Sequence, residues 1–243
     1  MNFGRSGFSS LPPVVKTLLI INVALFIISY IFPVLQSNLA IYSFKSDLFK
    51  PYQLITHMFM HGSFWHLFFN MFALYMFGKI LEEVWGQQRF FIYYFVTGLG
   101  AALLHLLVIN IETNALIAHM NSEQVQLVLN QGAEILMSGK NYSDASMGKL
   151  NLLINTPTVG ASGAIYGLLL AFGMLFPNTI IYVYFAIPMK AKYLVMIFTA
   201  IEIYLGFMNR SGDNVAHFAH LGGMLFGLIF ILIWKKRQFN RWD

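Results

Sequence analysis

Apolar residues fall along this chain in long runs separated by short polar stretches. Six runs approach the roughly 20 residues that a helix needs to cross a bilayer: about 15–33, 56–78, 90–109, 159–176, 192–207 and 214–234, the fifth being the shortest. Pro12 and Pro13 precede the first run, where a helix start tolerates a missing N–H. That run exceeds a usual signal-peptide core and no A-x-A site follows it, so it reads as a retained span. Residues 110–157 form a long polar connection. Within it Val125, Val128, Leu129, Ile135 and Leu136 recur at helical spacing, and Asn121 or Ser122 can cap the start. This predicts a surface helix on the bilayer or the bundle, with contact to a substrate as the alternative. The expected fold is an all-α membrane protein, a six-transmembrane-helix bundle with a long external loop between helices 3 and 4. Its parts are an N-terminal tail (1–14), a membrane domain (15–234) with 110–157 as an insert, and a basic tail (235–243).

Composition sharpens the class. The chain is 58% apolar and 16% aromatic, and only 10% of it is charged, against about 25% in soluble domains. Too few charges remain to solvate a surface, which excludes a soluble globular protein, a disordered chain and a nucleic-acid binder. The net charge of +5 does not form a patch. If both termini share one side, that side holds Arg5, Lys16, Lys79, Arg89, Lys190, Lys192, Lys235, Lys236, Arg237 and Arg241. The other holds Lys45, Lys50, Lys140, Lys149 and Arg210, a split of ten against five. The positive-inside rule then predicts a multi-pass protein of the cell membrane with both termini cytoplasmic. Cysteine is absent, so disulfides, thiol nucleophiles and Cys-based metal sites are excluded.

Polar side chains inside spans are costly and therefore functional candidates. His57, His61, His66 and Asn70 fall in the second span, His105 in the third, Gly160-Ala161-Ser162-Gly163 at the start of the fourth, Glu202 in the fifth, and His217 and His220 in the sixth. The second, fourth and sixth spans run in the same direction, so Ser162 and His220 should share a depth, with His66 and Asn70 somewhat deeper. A serine becomes a nucleophile when a neutral imidazole takes its proton. Asn, His and backbone N–H groups are suitable donors to an oxyanion. Each residue also has a plainer reading. Ser162, Gly163-xxx-Gly167 and Gly223-xxx-Gly227 suit close helix packing, and a lone His often bonds a neighbouring backbone. Their joint occurrence at matched depth favours chemistry. The i, i+4 pair His57/His61 and the i, i+3 pair His217/His220 can each be read as zinc ligands. However, H-E-x-x-H is missing, and so is the G-x-S-x-G elbow, because residue 164 is Ala.

These motifs resemble those of the rhomboid intramembrane serine proteases. The serine motif stands as Gly160-Ala161-Ser162-Gly163. The A-H-x-x-G-x-x-x-G motif runs from Ala219 and His220 through Gly223 to Gly227, and H-x-x-x-N is His66 to Asn70. The link from Gly78 through Glu82 and Gly86 to Arg89 is also similar. The likeness covers roughly 50–107 and 158–227. It implies a Ser–His dyad of Ser162 and His220, with the Ser162 amide, Asn70 and His66 stabilising the oxyanion and Tyr166 packing on the imidazole. It implies no metal or organic cofactor, and substrates that are transmembrane proteins cut at or near a helix, with helix-breaking and small residues at the cut.

Two functions compete with protease: a catalytically silent relative that binds membrane clients, and a His-lined metal transporter. Glu202 sits near the depth of Ser162 and His220 and so could orient His220. A protonated or snorkelling side chain near the interface is the preferred reading, since the resemblance implies a dyad. His220 is expected to face Ser162 because Gly223 and Gly227 continue its stripe toward a matching Gly163/Gly167 face. His217, one turn or about 5.4 Å further out, is expected to meet water.

Overall fold

The computed structural model describes residues 11–183, 186–208 and 214–239, with side chains omitted for 214–216 and 235–239. Arg5 and the first ten residues of the tail, Arg210, Asp213, Arg241 and the side chains of the basic tail lie outside the described residues. The protein is mainly helical. Among the described residues, four helices are long and apolar enough to span a membrane: Pro13–Ile31, Phe64–Trp85, Gln87–Ile117 and His217–Trp234.

Helix α1 (Pro13–Ile31) opens with proline at its first turn, as expected. A remote carboxylate satisfies two of its leading N–H groups: Val14 N donates to Glu82 Oε1 at 2.9 Å and Val15 N to Glu82 Oε2 at 2.8 Å. Glu82 is buried, so this cap pins α1 to α5 (Lys79–Trp85). Negative charge at a helix start is favourable.

The second run does not form a single span from residue 56. Short helices α2 (Pro33–Leu39) and α3 (Gln53–Thr56), then a 3-10 turn at His57–Phe59, come first. The chain then extends at Met60, and α4 (Phe64–Ala73) begins where the Ser63 hydroxyl accepts from His66 N at 3.1 Å. A π turn at Leu74–Gly78 leads into α5. His57 and His61 therefore precede the membrane helix and do not share one of its faces.

Helix α6 (Gln87–Ile117) continues past the expected end at 109, because Asn110, Glu112 and Asn114 end the apolar pattern without breaking a helix. The 110–157 region is more ordered than a loop. Helix α7 (Ser122–Met137) carries a capping box on Asn121 and Gln124, and Asp144 caps α8 (Ala145–Asn155). Val125 and Val128 bury against Met147, Leu150 and Ile154, forming a small core of their own. The expected surface helix thus exists and rests on α8.

Helix α9 (Ser162–Leu175) has 14 residues and spans about 21 Å, less than a hydrocarbon core. A hairpin of β1 (Ile180–Val183) and β2 (Ile187–Lys190), absent from the sequence reading, precedes α10 (Ala191–Phe207). Helix α11 (Asn214–Phe239) packs chiefly on α6 and α9. Among the described residues α9, at 14 residues, and α10, at 17, are shorter than the four helices of spanning length.

Small residues set the spacing at the centre. A Cβ on Gly223 would overlap the Gly163 carbonyl, and one on Gly163 would meet Ala101. Gly167 faces Thr97 of α6 and not α11, contrary to the expected Gly163/Gly167 face. Tyr93 bridges α6 to α9 through its hydroxyl, 2.9 Å from Gly167 O.

Replacing Glu82 by Ala should strand the Val14 and Val15 N–H groups and lower stability by roughly 1–3 kcal/mol. Thermal unfolding in detergent measures this. An unchanged midpoint would mean that α1 is held by packing alone.

Candidate active site

The segment before α9 is latched at several points. Ile41 and Thr158 exchange backbone bonds of 2.9 and 2.8 Å, Thr158 Oγ1 lies 2.9 Å from His105 Nε2, and Gly160 N donates to His57 O at 2.9 Å. Gly160 adopts φ 130, a left-handed conformation that suits glycine. A Cβ there would come within 2.8 Å of the His66 ring. The turn delivers Ser162 as the first residue of α9. The first intrahelical bond is Ile165 N to Ala161 O at 3.0 Å. The amides of Ser162, Gly163 and Ala164 thus point out of the helix start, toward a cavity of about 240 Å³ that these residues line together with His57, His66 and His220.

His220 Nε2 lies 2.9 Å from Ser162 Oγ. The imidazole stacks on Tyr166 with centroids 4.1 Å apart and planes 9° apart. The structure thus brings together Ser162, His220, Tyr166, His66, Gly160 and Gly163, with Gly223 directly behind. Asn70 stands apart from the cavity lining. It is buried on α4, and its Nδ2 donates to His66 O at 2.8 Å. That bond uses one of the two amide hydrogens.

Glu202 does not snorkel. It is buried, Tyr166 donates its hydroxyl to Oε1, and His217 Nδ1 lies 2.6 Å from Oε2. His220 Nδ1 is 3.1 Å from Oε1, near enough for an ion pair though poorly aligned for a hydrogen bond. His217 accordingly turns one ring nitrogen toward Glu202, while its side chain keeps 13% of its surface exposed. Sequence depth had flagged Glu202, but spacing alone gave no sign of its rotation toward His220.

Among the described residues, Glu202, His217 and His220 bring three metal-ligand atoms within 4.8 Å of one another. Both carboxylate oxygens are already engaged by phenol and imidazole partners, while His220 Nδ1 has no hydrogen-bond partner among the described residues. The expected His57/His61 pair is separated by the break before α4. His57 Nδ1 sits 2.8 Å from Gln53 O, and His61 packs edge-on to His66.

A model of the Rhomboid domain matches residues 48–237, most of the chain. The chain belongs to the rhomboid family. It is 28% identical to the mitochondrial RHOMBOID-like protein 12 of Arabidopsis thaliana over 93% of this chain and 60% of that protein. An uncharacterized mitochondrial rhomboid protein of Schizosaccharomyces pombe is 28% identical over 80% of this chain and 55% of its own length. Mitochondrial Rhomboid protein 1 of Saccharomyces cerevisiae is 26% identical over 76% and 42%. The chain spans about half the length of these curated rhomboid relatives. These mitochondrial names contradict the cell-membrane placement. The charge split ranks the two faces of a bilayer but carries no information about which bilayer it is.

His57 and His61 lie outside the spanning helices, and burial, the largest cause for each, pushes both imidazoles from 6.5 down to about 4. Each must stay neutral in the folded rhomboid chain. Their contribution to stability is therefore complete above pH 6.5 and is lost as pH falls from 6.5 toward 4. The thermal midpoint should drop over that window, and less so in His57→Gln and His61→Gln. An equally steep drop in both variants would assign the effect to other groups.

Proposed function

We propose that this rhomboid is an intramembrane serine protease that hydrolyses peptide bonds in or near transmembrane segments of other membrane proteins. The observation that carries the reading is the 2.9 Å contact of His220 Nε2 with Ser162 Oγ at a helix start lined by backbone N–H groups. Ser162 Oγ attacks the scissile carbonyl carbon while His220 Nε2 takes its proton. The resulting oxyanion meets the Ser162 amide and the helix start, with His66 beside Gly160 and Asn70 as further donors. His220 then returns the proton to the leaving amine, and water releases the acyl group by the same steps. A helical peptide bond is shielded by its own hydrogen bonds, so the substrate must extend locally before attack. The small cavity suits a small side chain beside the cut.

Six spans with both termini on the more basic side complete the proposed topology, with 110–157 on the opposite side. The relatives' names favour a mitochondrial membrane.

Purified protein incubated with a generic transmembrane substrate should give a discrete product that Ser162→Ala and His220→Ala both abolish. A serine-directed phosphonate should inhibit and a chelator should not. Persistent cleavage by Ser162→Ala would exclude this mechanism, and sensitivity to chelators alone would favour a metal-dependent one.

Asn70→Ala should lower kcat by on the order of 10²-fold while changing KM little, because the oxyanion contact exists only in the transition state. Unchanged kcat would remove Asn70 from the site.

A further inference from the structure

The Ser162–His220 contact leaves one atom of the imidazole to be accounted for. If Nε2 takes the Ser162 proton, it must present its lone pair, and the neutral ring then carries its hydrogen on Nδ1. Nδ1 is buried, and the carboxylate of Glu202 stands 3.1 Å away. As the ring accepts the serine proton it becomes a cation inside the protein. In a low-dielectric interior such a charge is costly unless an opposite charge lies close.

The carboxylate is held for that position. Tyr166 stacks under His220 and also donates its hydroxyl to Glu202 Oε1, so one ring supports both partners. His217 engages the second oxygen at 2.6 Å. Three helices meet through this one side chain: α9 through Tyr166, α10 through Glu202 itself, and α11 through His217 and His220. A buried carboxylate with partners on both oxygens has little freedom to turn away from Nδ1.

We infer that Glu202 is a positioning residue, the third member of a Ser162–His220–Glu202 array. Its charge orients the His220 ring and stabilises the imidazolium formed during attack. This goes beyond the dyad implied by family resemblance, and it rests on the protease reading given above. No bond to Glu202 forms or breaks, and no proton need leave Nδ1: the serine proton moves to Nε2 and later to the leaving amine.

The test compares the parent protein with Ser162→Ala, Glu202→Gln and Glu202→Asp in proteoliposomes, using one transmembrane substrate and counting folded protein by thermal unfolding. Ser162→Ala should be silent. If it still cleaves, the protease reading itself has failed, and that is seen independently of Glu202. With Ser162→Ala silent, Glu202→Gln should lose on the order of 10²- to 10⁴-fold in kcat with KM nearly unchanged. Glu202→Asp should be faster than Glu202→Gln, since it keeps the charge and sacrifices reach. A purely structural role predicts the reverse order, because Gln keeps the shape and Asp does not. A loss in kcat under about tenfold, a loss carried by KM, or Gln equal to or faster than Asp each overturns the inference. If Glu202→Gln does not fold, Glu202→Asp decides alone: a kcat of at least about a tenth of the parent supports it, and a lower value overturns it.

Discussion

The carbonyl of Gly163 lies where a side chain on residue 223 would have to be. That single exclusion sets how closely α9 and α11 approach, and the approach sets whether the His220 ring can reach Ser162. Within membranes, helix association draws little from water exclusion and depends on close van der Waals packing and interhelical polar contacts. Both are present here. Glycines remove the steric limit, and the Tyr93 hydroxyl bonds the Gly167 carbonyl in a buried position. The geometry of the serine and histidine is therefore a property of the helix pair, and only secondarily of the two side chains.

Lateral spacing alone would leave the height of Ser162 undetermined. The segment ahead of α9 supplies it. The Ile41–Thr158 pairing, the bond from Gly160 to His57 and the His105–Thr158 contact tie that segment to the loop preceding α4 and to α6. His57 acts there through its backbone carbonyl. Thr158, His105 and the His57 carbonyl are in this sense scaffold. They satisfy the groups of an irregular backbone which, at membrane depth, is tolerated only when buried in protein or lining a cavity.

What the sequence disclosed follows from the same physics. Ser162, His220, Gly163 and Gly223 were legible because depth and small-residue spacing are read directly along a helix, whereas Tyr166 came only through the family resemblance and Gly167 turned out to face Thr97. The helix at Ser122–Met137 was legible because its apolar period and its Asn121 cap are local signals. The break at Met60–Ser63 was hidden, since His61, Gly62 and Ser63 sit in an otherwise apolar run and only the Ser63 cap reveals the new helix start. The β1–β2 hairpin and α8 lacked a periodic signature long enough to separate them from polar connections. Glu202 was visible as an intramembrane carboxylate, but its partners lie on two other helices, and no single-helix pattern encodes an orientation decided across three.

Glu82 and Glu202 show why burial of a carboxylate does not by itself mark function. Both are enclosed, and both have both oxygens engaged. Glu82 accepts from backbone N–H groups at the start of α1, donors that cannot titrate and whose positions do not change during a reaction. Such a carboxylate can only hold structure. Glu202 faces a phenol and two imidazoles, groups whose protonation and orientation respond to charge. One of those imidazoles touches the serine oxygen. A carboxylate whose partners are side chains with changeable charge can influence a proton transfer, whereas one bonded to backbone cannot. The two sites differ in the nature of the donor, not in depth, and that difference ties α10 to the Ser162–His220 contact between α9 and α11.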